Sequence, residues 1–197
     1  ANVVVGADDA GVTIRGAAAP GHATVLNRGN TSSGSYGIEF VDADGVRIEH
    51  LGVTGGYSGI YASGTSDSDD VRLDGIRVYG NTQYGIYVQA GSDGLRILDS
   101  EVFGQSSYGI YVQGAEARIE GNEVYGNSTA GIDVSGAGTE VRDNTVHDNL
   151  GTGISAGSSA LVEGNTVYGH TGSNRAGISI DGTVVARGNV VYGNTRG

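Results

Sequence analysis

Apolar residues recur two positions apart in short segments, and the segments repeat about every 22 residues along most of the chain. A spacing of two is the side-chain alternation of a β-strand, whereas a helix repeats every 3.6 residues. Aligning the Gly-Ile pairs places seven repeats over residues 36–197, which begin at Tyr36, Ser58, Tyr84, Tyr108, Ala130, Thr152 and Ala176. Each repeat therefore predicts three short strands joined by turns.

Five apolar columns run through the aligned repeats, and two of them contain a single residue type. One column is all isoleucine: Ile38, Ile60, Ile86, Ile110, Ile132, Ile154 and Ile178. Another is all valine: Val53, Val78, Val102, Val124, Val146, Val167 and Val191. A repeat with three apolar strand faces cannot bury them by itself, so repeats must stack at a strand spacing of about 4.8 Å. The predicted architecture is a parallel β-helix with one repeat per coil.

Amide side chains also align between repeats. One set is Asn122, Asn144, Asn165 and Asn189, and a second is Asn81, Gln105, Asn127, Asn149 and Asn194. Stacked amides can hydrogen-bond from one coil to the next. Asn also tolerates the left-handed backbone that a tight corner requires, so we expect the Asn residues themselves to adopt it.

Residues 1–35 are less regular than the repeats that follow. The segments "NVVVG", "GVTIRG" and "ATVLNRG" predict three strands of an earlier coil, with "AAAPGH" and "NTSSGS" as loops. We therefore expect one domain over residues 1–197, made of an irregular N-terminal coil and seven repeats of about 22–26 residues. No predicted helix covers either end, so we expect uncapped ends that stack end to end or continue into further coils of a longer protein.

The phrase "AGIDVSGAGTEVRDNTVHDN" (130–149) resembles the repeats of pectate-lyase-like proteins. This group includes polysaccharide lyases, mannuronan C5-epimerases, polygalacturonases and many large secreted bacterial proteins. The resemblance covers residues 36–197 and implies an all-β, right-handed parallel β-helix of about 7–8 coils, a hand that agrees with the crossover rule. It also implies an extracellular or cell-surface location and a polysaccharide partner.

Composition limits the partners. All 11 basic residues are Arg, because the chain has no Lys, and the net charge is −11 with a pI near 4.5. Nucleic acids and anionic membranes bind basic patches, so neither is an expected partner. No apolar run approaches the roughly 18 residues of a membrane span, so membrane insertion is not expected.

A column of outward-facing residues follows the Gly-Ile strand: Glu39, Tyr61, Tyr87, Tyr111, Asp133, Ser155 and Ser179. Tyr84 and Tyr108 open two of the same repeats, and we call Tyr61, Tyr84, Tyr87, Tyr108 and Tyr111 the tyrosine patch. Sugar rings could lie on the patch, with Gln89, Gln113 and Asp133 as hydrogen-bonding partners. The alternative is that stacked tyrosines only stabilise the sheet through cross-strand pairs.

Two functions remain open. The first is a non-catalytic module of a larger secreted or cell-surface protein, a rigid scaffold with a shallow carbohydrate-binding face. The second is a lyase, C5-epimerase or glycoside hydrolase acting along the Gly-Ile strands. The resemblance implies an epimerase stretch Tyr-Gly-Phe-Asp-Pro-His, and its matching positions here share only Gly131 and Asp133. Asp133 is therefore the one catalytic candidate, with Asp181 as a distant carboxylate partner for hydrolysis.

Other charged and metal-ligating residues suggest weaker sites. Asp67, Asp69 and Asp70 lie in one loop and could gather calcium, although the spacing lacks the pattern of an EF-hand. No cofactor is otherwise expected. We expect structural roles for the four histidines, with His147 in an aromatic column and His170 in an amide column.

Arginines form a column of their own: Arg47, Arg72, Arg96 and Arg118. Two positions further on lies a mostly charged column: Glu49, Asp74, Leu98, Glu120, Arg142, Glu163 and Arg187. This arrangement predicts a ladder of surface ion pairs, each worth about 0–1 kcal/mol. The alternative is a basic stripe that binds an acidic glycan.

Overall fold

The computed structural model describes residues 1–17, 24–173 and 175–196. Its strands form three parallel sheets of eight strands each, so the described chain makes eight coils. One three-residue 3-10 turn, Ala7–Asp9, follows the first strand. The structure confirms the predicted right-handed parallel β-helix with three short strands per coil. Among the described residues, no helix has the length and apolar character needed to cross a membrane.

Each sheet takes one strand from every coil. The first sheet contains β1 (Val3–Gly6), β4 (Tyr36–Val41), β7 (Ser58–Ala62), β10 (Tyr84–Val88), β13 (Ile110–Val112), β16 (Ala130–Val134), β19 (Thr152–Ala156) and β22 (Ile178–Ile180). The second contains β2 (Thr13–Arg15), β5 (Arg47–Glu49), β8 (Arg72–Asp74), β11 (Arg96–Leu98), β14 (Arg118–Glu120), β17 (Glu140–Arg142), β20 (Leu161–Glu163) and β23 (Val185–Arg187). The third contains β3 (Thr24–Asn27), β6 (Leu51–Thr54), β9 (Arg77–Tyr79), β12 (Glu101–Phe103), β15 (Glu123–Tyr125), β18 (Thr145–His147), β21 (Thr166–Tyr168) and β24 (Val190–Tyr192).

The N-terminal coil predicted for residues 1–35 is present as β1, β2 and β3. All three strands pair in register with the next coil, including Val3 with Ile38 and Ile14 with Ile48. The predicted "NTSSGS" loop is confirmed, whereas all but the first residue of "AAAPGH", and with it His22, lies outside the described residues.

The core is a continuous apolar column enclosed by the three sheets. Isoleucines of the Gly-Ile column are 0–1% exposed from Ile38 to Ile154. The two end coils differ, since Leu26 is only partly buried and Val191 is 41% exposed, whereas the equivalent Val53 and Val167 are fully buried. These exposed apolar edges suit the end-to-end association expected above, which stays a prediction.

Two ladders of buried amides tie the coils together at the corners. In one, the side-chain amide nitrogen of Asn122 donates to Oδ1 of Asn144, and Asn144 donates to Oδ1 of Asn165, both at 2.9 Å. The same nitrogen of Asn144 donates to the Ile119 carbonyl, and the backbone N–H of Asn122 donates to Asn144 Oδ1. Each buried amide thus satisfies backbone groups that no strand partner reaches.

The expectation that these Asn residues are left-handed is wrong. The positive φ angles belong to the residue immediately before each amide, such as Gly121 at 69°, Asp143 at 52° and Gly164 at 70°. Gly has no Cβ to clash in the left-handed conformation, and Asp tolerates it. Two successive residues therefore form each corner. One residue turns the chain, and the next sends its amide inward.

The glycine of the Gly-Ile phrase is required by packing. A Cβ on Gly131 would lie 2.5 Å from Cγ1 of Val146 and 2.8 Å from Nδ2 of Asn149. The third-sheet valine and the amide ladder therefore leave no room for a side chain at this position. This contact explains why the phrase recurs in every repeat.

His170 replaces an amide in the second ladder, as predicted, and it is fully buried. Its Nδ1 lies 3.2 Å from the backbone nitrogen of Asn149, and its Nε2 has no hydrogen-bond partner among the described residues. Burial lowers the pKa of His170, and contacts with the carbonyls of Asn149 and Val146 only partly offset the shift.

We expect Asn144→Ala to lower the free energy of unfolding by about 2–3 kcal/mol. The substitution leaves buried donors of Asn122 unpaired, and each unmade buried bond costs about 1–3 kcal/mol. Urea denaturation measures the change, with Asn30→Ala in an exposed loop as the control. Equal stability of the two variants would contradict the ladder's role.

We also expect stability to fall as the pH drops from 8 to 5.5. The unfolded chain takes up a proton on His170 near pH 6.5, while the folded chain keeps the histidine neutral to lower pH. The stability that the neutral His170 contributes at high pH is therefore lost as the pH falls below the pKa of this histidine in the unfolded chain. In His170→Asn the fall should be smaller. Urea midpoints across this pH range compare the two proteins, and parallel dependence on pH would refute the prediction.

Candidate functional site

The tyrosine patch lies on the first sheet, in the register that the sequence predicted. Tyr61 pairs with Tyr87 and Tyr87 with Tyr111 on successive strands. The next coil pairs Asp133 with Tyr111, and the one after it pairs Ser155 with Asp133. The outward column therefore changes from aromatic to short polar side chains between β13 and β16.

Most rings of the patch stack along the solenoid axis. The centroids of Tyr87 and Tyr111 lie 4.9 Å apart with planes 7° from parallel. Tyr84 and Tyr108 form a second row beside them, with centroids 5.8 Å apart. Tyr61 is tilted by 58° relative to Tyr87, so the stack is interrupted there.

Tyr36 also extends the patch, although it was not predicted as a site residue. Its centroid lies 4.1 Å from that of Tyr61. The sequence did carry a signal, because Tyr36 opens its repeat at the position held by Tyr84 and Tyr108 in theirs.

Both predicted glutamines contact the patch. Nε2 of Gln89 donates to the hydroxyl of Tyr61 at 3.1 Å, and Nε2 of Gln113 donates to that of Tyr111 at 2.8 Å. Burial raises the pKa of Tyr84 and of Tyr87. The hydroxyls are therefore neutral donors and acceptors along the edge of an apolar surface.

Charged groups gather at the end of the patch. Burial raises the pKa of Asp133, and the Ser155 hydroxyl partly offsets the shift. The pKa of Tyr108 is raised by burial and by the Asp133 carboxylate, while the Arg175 guanidinium lowers it. Asp133, Tyr108 and Arg175 thus belong to one electrostatic environment beside the last stacked rings.

A second aromatic stack runs along the third sheet, and it was not predicted as a site. Its members are Tyr79, Phe103, Tyr125, His147, Tyr168 and Tyr192, with neighbouring centroids 4.9–5.3 Å apart. His147 takes a ring's place in it, as expected, with Nε2 3.3 Å from Glu123 and Nδ1 2.9 Å from Asp148. Unlike the tyrosine patch, this stack is a single row that runs to the last coil.

The acidic loop proposed for calcium has other contacts. The Asp69 carboxylate accepts the backbone N–H of Asp93 at 2.7 Å, and the N–H of Asp67 donates to Asp42. Across the described ranges, no three His, Cys, Asp or Glu side chains form a metal-binding group. Calcium binding by Asp67, Asp69 and Asp70 stays a prediction.

The second sheet carries the predicted ion pairs. Arg72 contacts Asp74 at 2.6 Å and Arg118 contacts Glu120. Later in the chain the order of charges inverts, as expected, and Arg142 contacts Glu140 at 2.9 Å. Two of the four members of the arginine column, Arg72 and Arg118, therefore belong to a ladder of surface ion pairs.

Known structures resemble this fold. The A-module of the Azotobacter vinelandii mannuronan C-5 epimerase AlgE6 is 16% identical with a TM-score of 0.72, over 97% of this chain and 54% of that one. The periplasmic alginate epimerase AlgG is 15% identical with a TM-score of 0.67, over 83% of this chain and 44% of that one. An alginate lyase from Paenibacillus sp. str. FPU-7 is 18% identical with a TM-score of 0.65, over 98% and 89% of the two chains. At such identities the likeness shows the fold alone.

The sequence comparisons assign the chain to a family. The chain spans less than half the length of AlgG, so it corresponds to part of that protein. No protein of curated function matches the sequence. Residues 2–171 match the family described as "Periplasmic copper-binding protein (NosD)", and this range includes the tyrosine patch with Gln89, Gln113 and Asp133. The chain therefore belongs to the NosD family of parallel β-helix proteins.

Proposed function

We propose that this chain is a non-catalytic β-helix module of a larger protein and that its tyrosine patch binds carbohydrate. One observation carries the proposal, which is the change of the outward column from Tyr111 to Asp133. The rings before the change stack on one another, so their faces are largely covered. The last rings of the stack, Tyr108 and Tyr111, adjoin a coil whose side chains at these positions are much smaller.

The change from large rings to small polar side chains leaves room for a sugar ring beside Tyr111. A pyranose could pack its apolar face on Tyr111 while the Asp133 carboxylate, the Ser155 hydroxyl and the free carbonyl of Gln113 bind its hydroxyls. Gln113 keeps this carbonyl available because its Nε2 already donates to Tyr111. The structurally similar epimerases and the lyase, which act on polysaccharides according to their names, support this substrate class.

We infer that the module works outside the cytoplasm, in a secreted or surface-associated protein. The family is described as periplasmic, and the epimerase AlgG is named as a periplasmic protein. A rigid solenoid would also present the patch at a set distance from neighbouring domains.

Copper, which the family description names, does not suit the described residues. The chain has no Cys and no Met, the soft ligands that copper favours. His147 directs its two ring nitrogens towards carboxylates of Glu123 and Asp148, and His170 is buried in the amide ladder. His147, Glu123 and Asp148 do not form a metal-binding group within the described part of the chain, so we assign copper no role in this proposal.

The proposal predicts that Tyr87→Ala combined with Tyr111→Ala weakens glycan binding about tenfold or more, a loss of about 1.4 kcal/mol. The double variant removes the stacked rings next to Asp133. A glycan array of neutral and uronate oligosaccharides identifies the ligand for the parent chain, and calorimetry then compares the affinities.

Tyr125→Ala combined with Tyr168→Ala is the matched control. It removes two stacked rings from the third sheet and leaves the tyrosine patch intact. Affinity should be unchanged in this variant. If the parent binds no glycan, or both double variants lose affinity equally, the tyrosine patch is structural only.

A second function, a polysaccharide lyase, C5-epimerase or hydrolase, is favoured by Asp133 itself. Its burial raises its pKa, and a carboxylate with a raised pKa is a stronger general base. Activity that depends on the ionised form would be lost as the pH falls through this raised pKa, at a higher pH than for an ordinary aspartate.

If the enzymatic function is correct, Asp133→Asn should abolish turnover and leave oligosaccharide binding within about threefold of the parent. NMR spectra of alginate and pectate oligosaccharides would detect cleavage and epimerisation in one measurement. Asp8→Asn, an exposed change on the first coil, is the control. Turnover that survives in Asp133→Asn would exclude this residue as the base.

A further inference from the structure

The arginine column of the second sheet places four like charges side by side. Arg47 pairs in register with Arg72, Arg72 with Arg96, and Arg96 with Arg118. Neighbouring strands lie about 4.8 Å apart, so the side chains leave the sheet close together. Like charges directly opposite one another destabilise a sheet unless other groups compensate.

Carboxylates compensate at only some of these positions. Arg72 and Arg118 each contact the carboxylate two residues further along their own strand. On β11 that position is Leu98, so Arg96 lacks this partner. On β5 the position is Glu49, which contacts Arg15 of the preceding coil at 2.6 Å instead.

Two guanidinium groups are therefore left over. Within residues 1–17, 24–173 and 175–196, no carboxylate lies within 4.0 Å of the side-chain nitrogens of Arg47 or of Arg96. Both side chains are exposed, and they lie on either side of Arg72.

The same three arginines line a surface cavity of about 330 Å³. Gly45 and Asp70 complete its lining. We call this the arginine cavity. Counting Asp74, which pairs with Arg72, the lining carries three positive and two negative charges, so the cavity keeps a positive excess on an acidic protein.

We propose that the arginine cavity binds a phosphate or sulfate group, either as the free ion or as an ester on a larger molecule. A guanidinium presents its N–H donors as a planar fork that matches two oxygens of an oxyanion. Two unpaired forks flank a third on the same face of the sheet. A tetrahedral oxyanion has an oxygen for each of the three forks, whereas a carboxylate has only two.

This site is separate from the tyrosine patch. The cavity lies on the second sheet and the patch on the first, and the two share no residue. The inference therefore does not rest on the proposed carbohydrate binding, and either can fail without the other.

Calorimetry of the whole chain at low ionic strength, titrated with inorganic phosphate and with inorganic sulfate, tests the proposal. We expect saturable binding by the parent and at least a fivefold loss of affinity in Arg96→Gln. Leu98→Asp should cause a similar loss, because it supplies the carboxylate that Arg96 lacks, and its melting temperature should equal or exceed that of the parent. Asp70→Asn should tighten binding by removing a negative charge from the cavity.

Arg118→Gln is the matched control, since Arg118 belongs to the same column but is paired with Glu120 and does not line the cavity. It should bind the anions as the parent does. Titration with glucose 6-phosphate, glucose 6-sulfate and glucose distinguishes an esterified from a free ligand, and glucose alone should not bind here. No anion binding by the parent, or equal losses in Arg96→Gln and Arg118→Gln, would overturn the proposal.

Discussion

The structure depends on the parallel pairing of each strand with its counterpart one coil later. Because the pairing joins equivalent positions, every paired strand residue lies directly above or below the residue at the same place in the neighbouring repeat. A single side chain therefore matters less than the column to which it belongs. An inward column must be apolar along its full length, and a polar column must satisfy its own hydrogen bonds.

The corners show how this constraint shapes the sequence. An inward amide can hydrogen-bond only to the amide above it and to nearby backbone, so Asn recurs in line from Asn122 to Asn189. The chain must turn just before each amide, and that position is filled by Gly or by Asp at positive φ. The Gly-Ile glycine is required by the second amide ladder, since a Cβ on Gly131 would lie 2.8 Å from Nδ2 of Asn149. Three motifs of the repeat thus have one cause.

The outward-facing columns can change residue type from coil to coil, because their side chains do not pack in the core. Both sites proposed above lie where such a change occurs. The tyrosine column gives way to Asp133, which leaves the last rings beside small polar side chains. The mostly charged column of the second sheet is interrupted by Leu98, which leaves Arg96 without the carboxylate that Arg72 and Arg118 have on their own strands. A regular column stabilises the solenoid through contacts between neighbouring coils. An interruption leaves an aromatic ring without a stacking partner in the next coil or a charge without an ion-pair partner.

The sequence alone predicted stacked coils of three strands, their register and the members of the apolar columns, because strand alternation and a repeat near 22 residues bury the isoleucines and valines only when repeats stack, while the right hand of the solenoid came from the family resemblance. It also located the tyrosine patch and its glutamines. Only the tertiary structure decided which groups within a column are paired. Whether Glu49 contacts Arg47 or Arg15, and whether a corner Asn or the residue before it is left-handed, depends on side-chain direction and backbone angles. The register gives the residues next to a side chain on the neighbouring strands. Which of those residues the side chain contacts depends on the distances between them in the folded structure.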